Sequence, residues 1–379
     1  EKMWMPRWDG QAAYFLPPIC NIEDGNSGVA YYPGTGLNSD YFGQIFICHF
    51  KGSPARSGVN SYLVRPDGAS YTIADSKVFL AGSLDTDVRF GPDGRMYVSD
   101  WTGNYDQQMK GRIYTISDPA HVKDPLVVET QQLLGGDWTK KSPDELAKLL
   151  GHADWRVRLE AQYTLAERGA ASIPVLARVA TTPAPAALEL GNPANLPAFA
   201  RRHAIWGLGQ IAQKSVNSVT LSTITLRPAS IAHNDTPALA PLRTLLHDAD
   251  PEVRAQAIKT LGDHCQLDQA DNFIAALKDP DNRVKFFAAQ SLSKVSALDS
   301  VAAARATPAL IEALRANNDT DLYVRHSAVM GLVGTKNVTA LAALTTDSSR
   351  AVPTGSVVAL RRLESPEIAR FLGDADPYI

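Results

Sequence analysis

Apolar residues recur with two different periods along the chain, and the change falls near residue 135. Up to that point they come in short runs rich in β-branched and aromatic residues. Gly28–Tyr32, Gln44–Phe50, Ser61–Arg65 and Arg95–Ser99 are such runs, each bounded by turn residues, and each reads as a strand. Pro66-Asp-Gly68 and Pro92-Asp-Gly94 are turn signals, because proline presets φ and glycine accepts positive φ. The spacing predicts one set of strands near 28–32, 44–50, 60–65 and 70–74. A second set is predicted near 86–90, 95–99, 111–116 and 126–130. Four antiparallel strands in about 45 residues is the size of one propeller blade. The expected fold of residues 1–135 is thus a partial β-propeller of about two four-stranded blades, with a β-sandwich as the alternative.

From residue 136 to 379 the period is helical. Ser142-Pro-Asp-Glu145 reads as a capping box. Val157, Ala161 and Leu165 follow at four-residue steps, and the pattern returns at Val253, Ala257 and Leu261. It returns again at Val284, Ala288 and Leu292, and at Val324, Ala328 and Leu332. Weaker copies start at Ala200 and Val352, and further helix starts are expected at Thr236-Pro237, Thr307-Pro308 and Ser365-Pro366. Helix pairs repeating in this way predict an α-solenoid of the HEAT or armadillo type. Asp154, Asp250 and Asp281 stand where N-caps belong, with arginines after them placed to bridge neighbouring repeats. Segments 180–200 and 214–235 read as loop insertions, and Arg201-Arg202 and Arg361-Arg362 as solvated basic pairs.

Of the 379 residues, 45% are hydrophobic and 20% charged, which is the composition of a folded chain. Lys+Arg number 37 and Asp+Glu 40, so no global charge favours nucleic acid or anionic lipid. No apolar run is long enough for a transmembrane helix. Neither a dinucleotide fingerprint nor a P-loop is present.

Several strings resemble a known family. They are Phe15–Ile19, Gly25–Leu37, Asp87–Gly94, Ser99–Trp101, Gly111–Tyr114 and Arg156–Gln162. They are similar to the membrane-bound dehydrogenases also called PVC-type haem-binding proteins. In that family a propeller like that of glucose/sorbosone dehydrogenases precedes HEAT-like repeats and, commonly, a c-type cytochrome domain. The resemblance implies a secreted or periplasmic bacterial protein that oxidises a sugar or alcohol. It also implies that this chain is a fragment lacking most of the propeller and the haem domain. Pyrroloquinoline quinone (PQQ), Ca²⁺ and haem c would belong to the full-length parent, with no cofactor certain in this chain. Missing blades or another protein chain would cover the open sheet edges, and the solenoid would take a protein partner. The alternative function is a non-catalytic scaffold binding protein or polysaccharide; a lactonase-like hydrolase with a channel metal is a third.

Candidate chemistry is sparse. Asp85, Asp87 and Asp100 flank a predicted inner strand, and Asp85 and Asp87 are the metal candidates. Asp87, Arg89 and Asp100 are the channel-lining candidates for a cofactor, with turn-capping as the alternative role. His49 is a candidate base, or else a packed histidine. Cys20 and Cys48 form either a disulfide or two separate buried thiols.

Overall fold

The computed structural model describes residues 18–20, 22, 24–102, 110–184, 196–220, 236–377 and 379. The first strands form an antiparallel meander, β1 (Asn26–Tyr31), β2 (Gln44–His49), β3 (Gly58–Asp67) and β4 (Ser70–Ala81), in that order. A second meander has three strands, β5 (Asp85–Phe90), β6 (Met96–Asp100) and β7 (Arg112–Ile116). The expected fourth strand at 126–130 is a helix, α1 (Pro125–Leu134). Pro125 opens its first turn, and Val127 and Thr130 are buried three residues apart while Val128 is 46% exposed. A strand would have buried alternate residues. The second sheet is therefore three-stranded among the described residues.

The two sheets share one aromatic core. Phe46 lies 5.0 Å from Phe79 and 5.3 Å from Phe90, ring centre to ring centre, in edge-to-face contacts. Tyr32, Val59, Val88, Met96 and Val98 complete it. At Gly28 the backbones of β1 and β5 nearly touch, since a Cβ there would sit 2.3 Å from Asp87 Cα.

The helical part stacks helix pairs. The second helices of the pairs are α3 (Trp155–Glu167), α5 (Leu196–Thr220), α7 (Pro251–Asp263), α9 (Asn282–Ser296), α11 (Leu322–Thr335) and α13 (Ala351–Arg362). The first helices are α2 (Pro143–Leu149), α4 (Ile173–Thr181), α6 (Ala240–Thr244), α8 (Ala270–Ala276), α10 (Ser300–Asn317) and α12 (Val338–Ala342). The repeating Val, Ala and Leu positions are buried in one continuous core from Leu146 to Phe371. Small residues let the second helices approach. A Cβ on Gly334 would lie 2.3 Å from Ser293 O, while Ser293 Oγ donates to Met330 O at 2.8 Å.

Three expectations change. Thr307-Pro308 lies inside α10 rather than at its start, and Thr307 Oγ1 donates to Ala303 O there. Residues 214–220 belong to α5, so the second insertion begins no earlier than 221; residues 221–235 lie outside the described residues. Of the 180–200 segment, 196–200 are helical and 185–195 lie outside the described residues.

Candidate functional site: the repeat turns and the second-helix face

Four of the second helices, α3, α7, α9 and α11, begin at an aspartate whose carboxylate accepts backbone N–H groups of the first turn. Asp154, Asp250, Asp281 and Asp321 all do so, with the first three as expected from sequence. In two of these turns a further aspartate stands two residues earlier, and receives an arginine from the preceding repeat. Arg201 forks onto Asp248, and Arg254 Nε and Nη2 reach the two oxygens of Asp279 at 2.8 Å each. Asp248 and Asp279 in turn accept the N–H of Asp250 and Asp281. This ladder ties successive repeats through bidentate pairs. Arg201 is therefore buried and ion-paired, contrary to its expected place in a solvated pair.

The sheets mount on the same turns. Trp155 N donates to Pro33 O at 3.0 Å, and Thr35 Oγ1 donates to the buried Asp154 carboxylate at 2.7 Å. Arg156 binds that carboxylate and also Phe90 O. Four repeats further on, the tip of the β3–β4 hairpin docks at Asp321. Ala69, only 2% exposed, belongs to the helical core, and its N–H donates to Asp321 Oδ2 at 2.8 Å. Gly68 has φ +55°, and a Cβ on it would sit 2.2 Å from the same oxygen. Arg283 pairs with Glu252 at 2.7 Å and stacks on Tyr71 and Phe287. An open cleft of about 380 Å³ lies beside the dock, lined by Asp67, Tyr71, Asn282, Asp321 and Tyr323 among others.

Beyond the turns, the second helices present a polar and aromatic face. His203 Nδ1–H donates to Gln162 Oε1 at 2.7 Å, and its Nε2 accepts from Arg158 Nε at 3.3 Å. Burial, with the charges of Arg158 and Arg202, holds the His203 imidazole down at about 3. His326 is held at about 4, again by burial first and then by Arg362 and Arg325. Both rings are neutral at neutral pH. Trp206, 38% exposed, donates to Gln256 at 2.9 Å.

The residues singled out from sequence fall elsewhere, in the sheets. Asp85 and Asp100 are register partners on β5 and β6, so the fold does bring them together. Asp85 is fully buried and accepts from Ser83 Oγ at 2.8 Å, and burial raises its carboxyl above the usual range. Asp100 Oδ1 accepts the backbone N–H of Leu84 and of Thr102, each at 3.1 Å. Asp87 caps the N–H of Val88 at 2.9 Å and pairs with Arg89 at 3.0 Å, while Arg89 donates to Val29 O. These bonds serve the strand edges. Among the described residues no three His, Cys, Asp or Glu side chains are grouped to hold a metal. His49 is buried, with Nε2 2.7 Å from Tyr62 Oη. Cys20 is exposed and Cys48 buried, and both are free thiols, so the disulfide is not formed here. Burial pushes the Cys48 thiol up to about 12.

Residues 239–333 match the family model described as HEAT repeats. The helical part is HEAT-like. A comparison with curated proteins found no match. Two engineered proteins solved by the Northeast Structural Genomics Consortium are similar over 59% of this chain. They have 18% and 19% identity, cover 97% and 99% of their own lengths, and both have a TM-score of 0.36. The complex of CpcE and CpcF of phycocyanin lyase from Nostoc sp. PCC7120 is similar over 65% of this chain and 97% of its own. Its identity is 19% and its TM-score 0.25. No helix among the described residues is long and apolar enough to cross a membrane.

Two features escaped the sequence reading. The Gly68-Ala69 dock joins residues 252 positions apart, and nothing local marks Asp321 as its receptor. The Arg158–His203–Gln162 cluster spans two helices separated by an insertion. The one signal for it is the basic and aromatic spacing Phe199, Arg202, His203 and Trp206 on one helix face.

Proposed function

We propose that the chain is a non-catalytic scaffold that holds a protein partner on the face of its second helices. One observation carries this reading. The array is continuous from α3 to α13, its turns are consumed by the ion-pair ladder and the docked sheets, and the open second-helix face keeps exposed aromatic and charged groups. Extended repeat arrays bind along such surfaces. Two of the carboxylates considered for chemistry, Asp87 and Asp100, are spent on backbone capping, which supports binding over turnover. The test is site-specific photocrosslinking. A photoreactive residue replacing Tyr163 or Trp206 on the second-helix face should capture one protein. One replacing exposed Val301 on α10 should not. Equal capture from all three positions would sink the proposal.

A second reading keeps the family resemblance. The four-stranded and three-stranded meanders lie with their first strands, β1 and β5, side by side, as the inner strands of adjacent propeller blades do. On that reading the sheets are blades of a secreted dehydrogenase-like protein, and PQQ, Ca²⁺ and haem c lie in its other parts. Sugar- or alcohol-dependent reduction of an electron acceptor by the full-length protein supports it; no reduction with any such substrate removes it.

A further inference from the structure

The arginine ladder is not carried through every repeat, and at Arg158 it stops halfway. Arg254 shows the complete form: Nη1 binds the carbonyls of Asp248 and Ala249, and the rest of the fork grips the Asp279 carboxylate. Arg158 copies the first half, with Nη1 on His152 O and Ala153 O at 2.6 and 2.9 Å. Among the described residues no carboxylate pairs with it for the second half. Its Nε meets the neutral His203 ring instead. Arg158 is buried, and burial pulls its guanidinium down to about 10, offset only in part by Tyr31 and Asp154.

Arg202 lies beside it. The two guanidiniums flank the Phe199 ring, at 5.0 Å for Arg158 and 5.4 Å for Arg202. Arg202 Nε is buried and meets no hydrogen-bond partner among the described residues, while its neighbour Arg201 forks onto Asp248. A buried guanidinium without an anion is costly in a fold that elsewhere supplies one. Phe199, Arg202, His203 and Trp206 recur at helical spacing, so the pair opens onto the exposed Trp206.

We propose that Arg158 and Arg202 form a carboxylate-binding site for an acidic peptide segment of the partner, with Trp206 contacting an adjacent apolar side chain. This rests on the scaffold reading and assigns the partner's chemistry. Two carboxylate oxygens match the planar donors of a guanidinium, and an apolar neighbour matches the indole. A nucleic acid is held by a run of basic side chains along its phosphates, and the guanidinium pair at Phe199 offers two.

The probe is a fluorescein-labelled hexapeptide, Glu-Glu-Leu-Glu-Glu-Leu, titrated by anisotropy at low salt against the whole chain. Its Gln-for-Glu counterpart is the control. The Glu peptide should bind at least tenfold more tightly than the Gln peptide. Arg202→Gln, which removes no hydrogen bond among the described residues, should weaken it about tenfold, and Phe199→Leu should weaken it less. Circular dichroism checks that both variants stay folded. Equal binding of the two peptides, or no change in Arg202→Gln, overturns the site. Displacement by inorganic phosphate at matched ionic strength, as effective as by unlabelled peptide, overturns the peptide assignment in favour of a small-anion site. The probe needs no partner. If it behaves as expected while photocrosslinking is indiscriminate, the scaffold reading fails and the site stands. If crosslinking is selective but the probe ignores Arg202→Gln, the reverse holds.

Discussion

Replacing Asp321 by alanine should detach the sheet from the helical array. Asp321 Oδ1 accepts the N–H groups of Tyr323 and Val324 at 2.9 and 3.0 Å. Losing an N-cap of this kind costs about 1 kcal/mol. Its Oδ2 accepts the buried Ala69 N–H at 2.8 Å and the Asn282 amide at 3.0 Å. A hydrogen bond to a charged acceptor is worth about 2 kcal/mol, and the Ala69 N–H would be left unsatisfied in a core. The total is about 3 kcal/mol of local stability, which is on the order of a hundredfold in an opening equilibrium. Amide hydrogen exchange followed by mass spectrometry reads this segment by segment. Exchange in the 66–72 hairpin tip should accelerate about thirtyfold, from the ~2 kcal/mol of the Ala69 contact, and the first turn of α11 about fivefold, from the lost cap. Asp281→Ala is the comparison, because that carboxylate caps α9 through Arg283 and Val284 and touches no strand. It should speed exchange about fivefold at the start of α9 and leave the hairpin protected. Equal effects of the two substitutions on the hairpin, or none in Asp321→Ala, would refute the docking geometry.

Other outcomes follow from the same contacts. Gly68→Ala combines φ +55° with a Cβ 2.2 Å from Asp321 Oδ2, so limited proteolysis should cut the hairpin tip sooner than in the parent. Gly334→Ala places a methyl 2.3 Å from Ser293 O and should cost about 1–3 kcal/mol, read as a lower urea midpoint. The His203 ring, held at about 3 against an ordinary 6.5, stays neutral in the folded chain where the unfolded chain takes up a proton. Stability is therefore full above pH 6.5 and falls as pH drops towards 3, by up to about 1.4 kcal/mol per pH unit. His203→Gln should remove this share of the loss between pH 7 and pH 5 in urea titrations; an unchanged loss would contradict the assignment.

The repeat register was legible in sequence because its rules are local. Val253, Ala257 and Leu261 lie one turn apart, and Asp250 meets its donor within two residues. The same local logic failed at 126–130, where Leu126, Val127 and Val128 look like a strand and the deciding fact is that Thr130 is buried with Val127. Asp85, Asp87 and Asp100 were legible as a cluster, since β5 and β6 form a hairpin. The occupation of Asp87 and Asp100 by backbone N–H groups was not, because backbone donors leave no trace in a residue string. Arg201 and Arg202 look identical in sequence. They differ only in that Asp248, 47 positions away from Arg201, reaches one and not the other.

On the proposed reading this chain holds another protein on its second helices. The decisive measurement is a binding titration between the purified chain and the pure protein recovered by photocrosslinking from position 206. The same preparation is assayed for sugar-dependent acceptor reduction. A saturable complex, weakened at least tenfold by Trp206→Ala with Arg202→Gln, and no reduction are expected. No saturable complex, alongside clear sugar-dependent reduction by the purified chain, would contradict it.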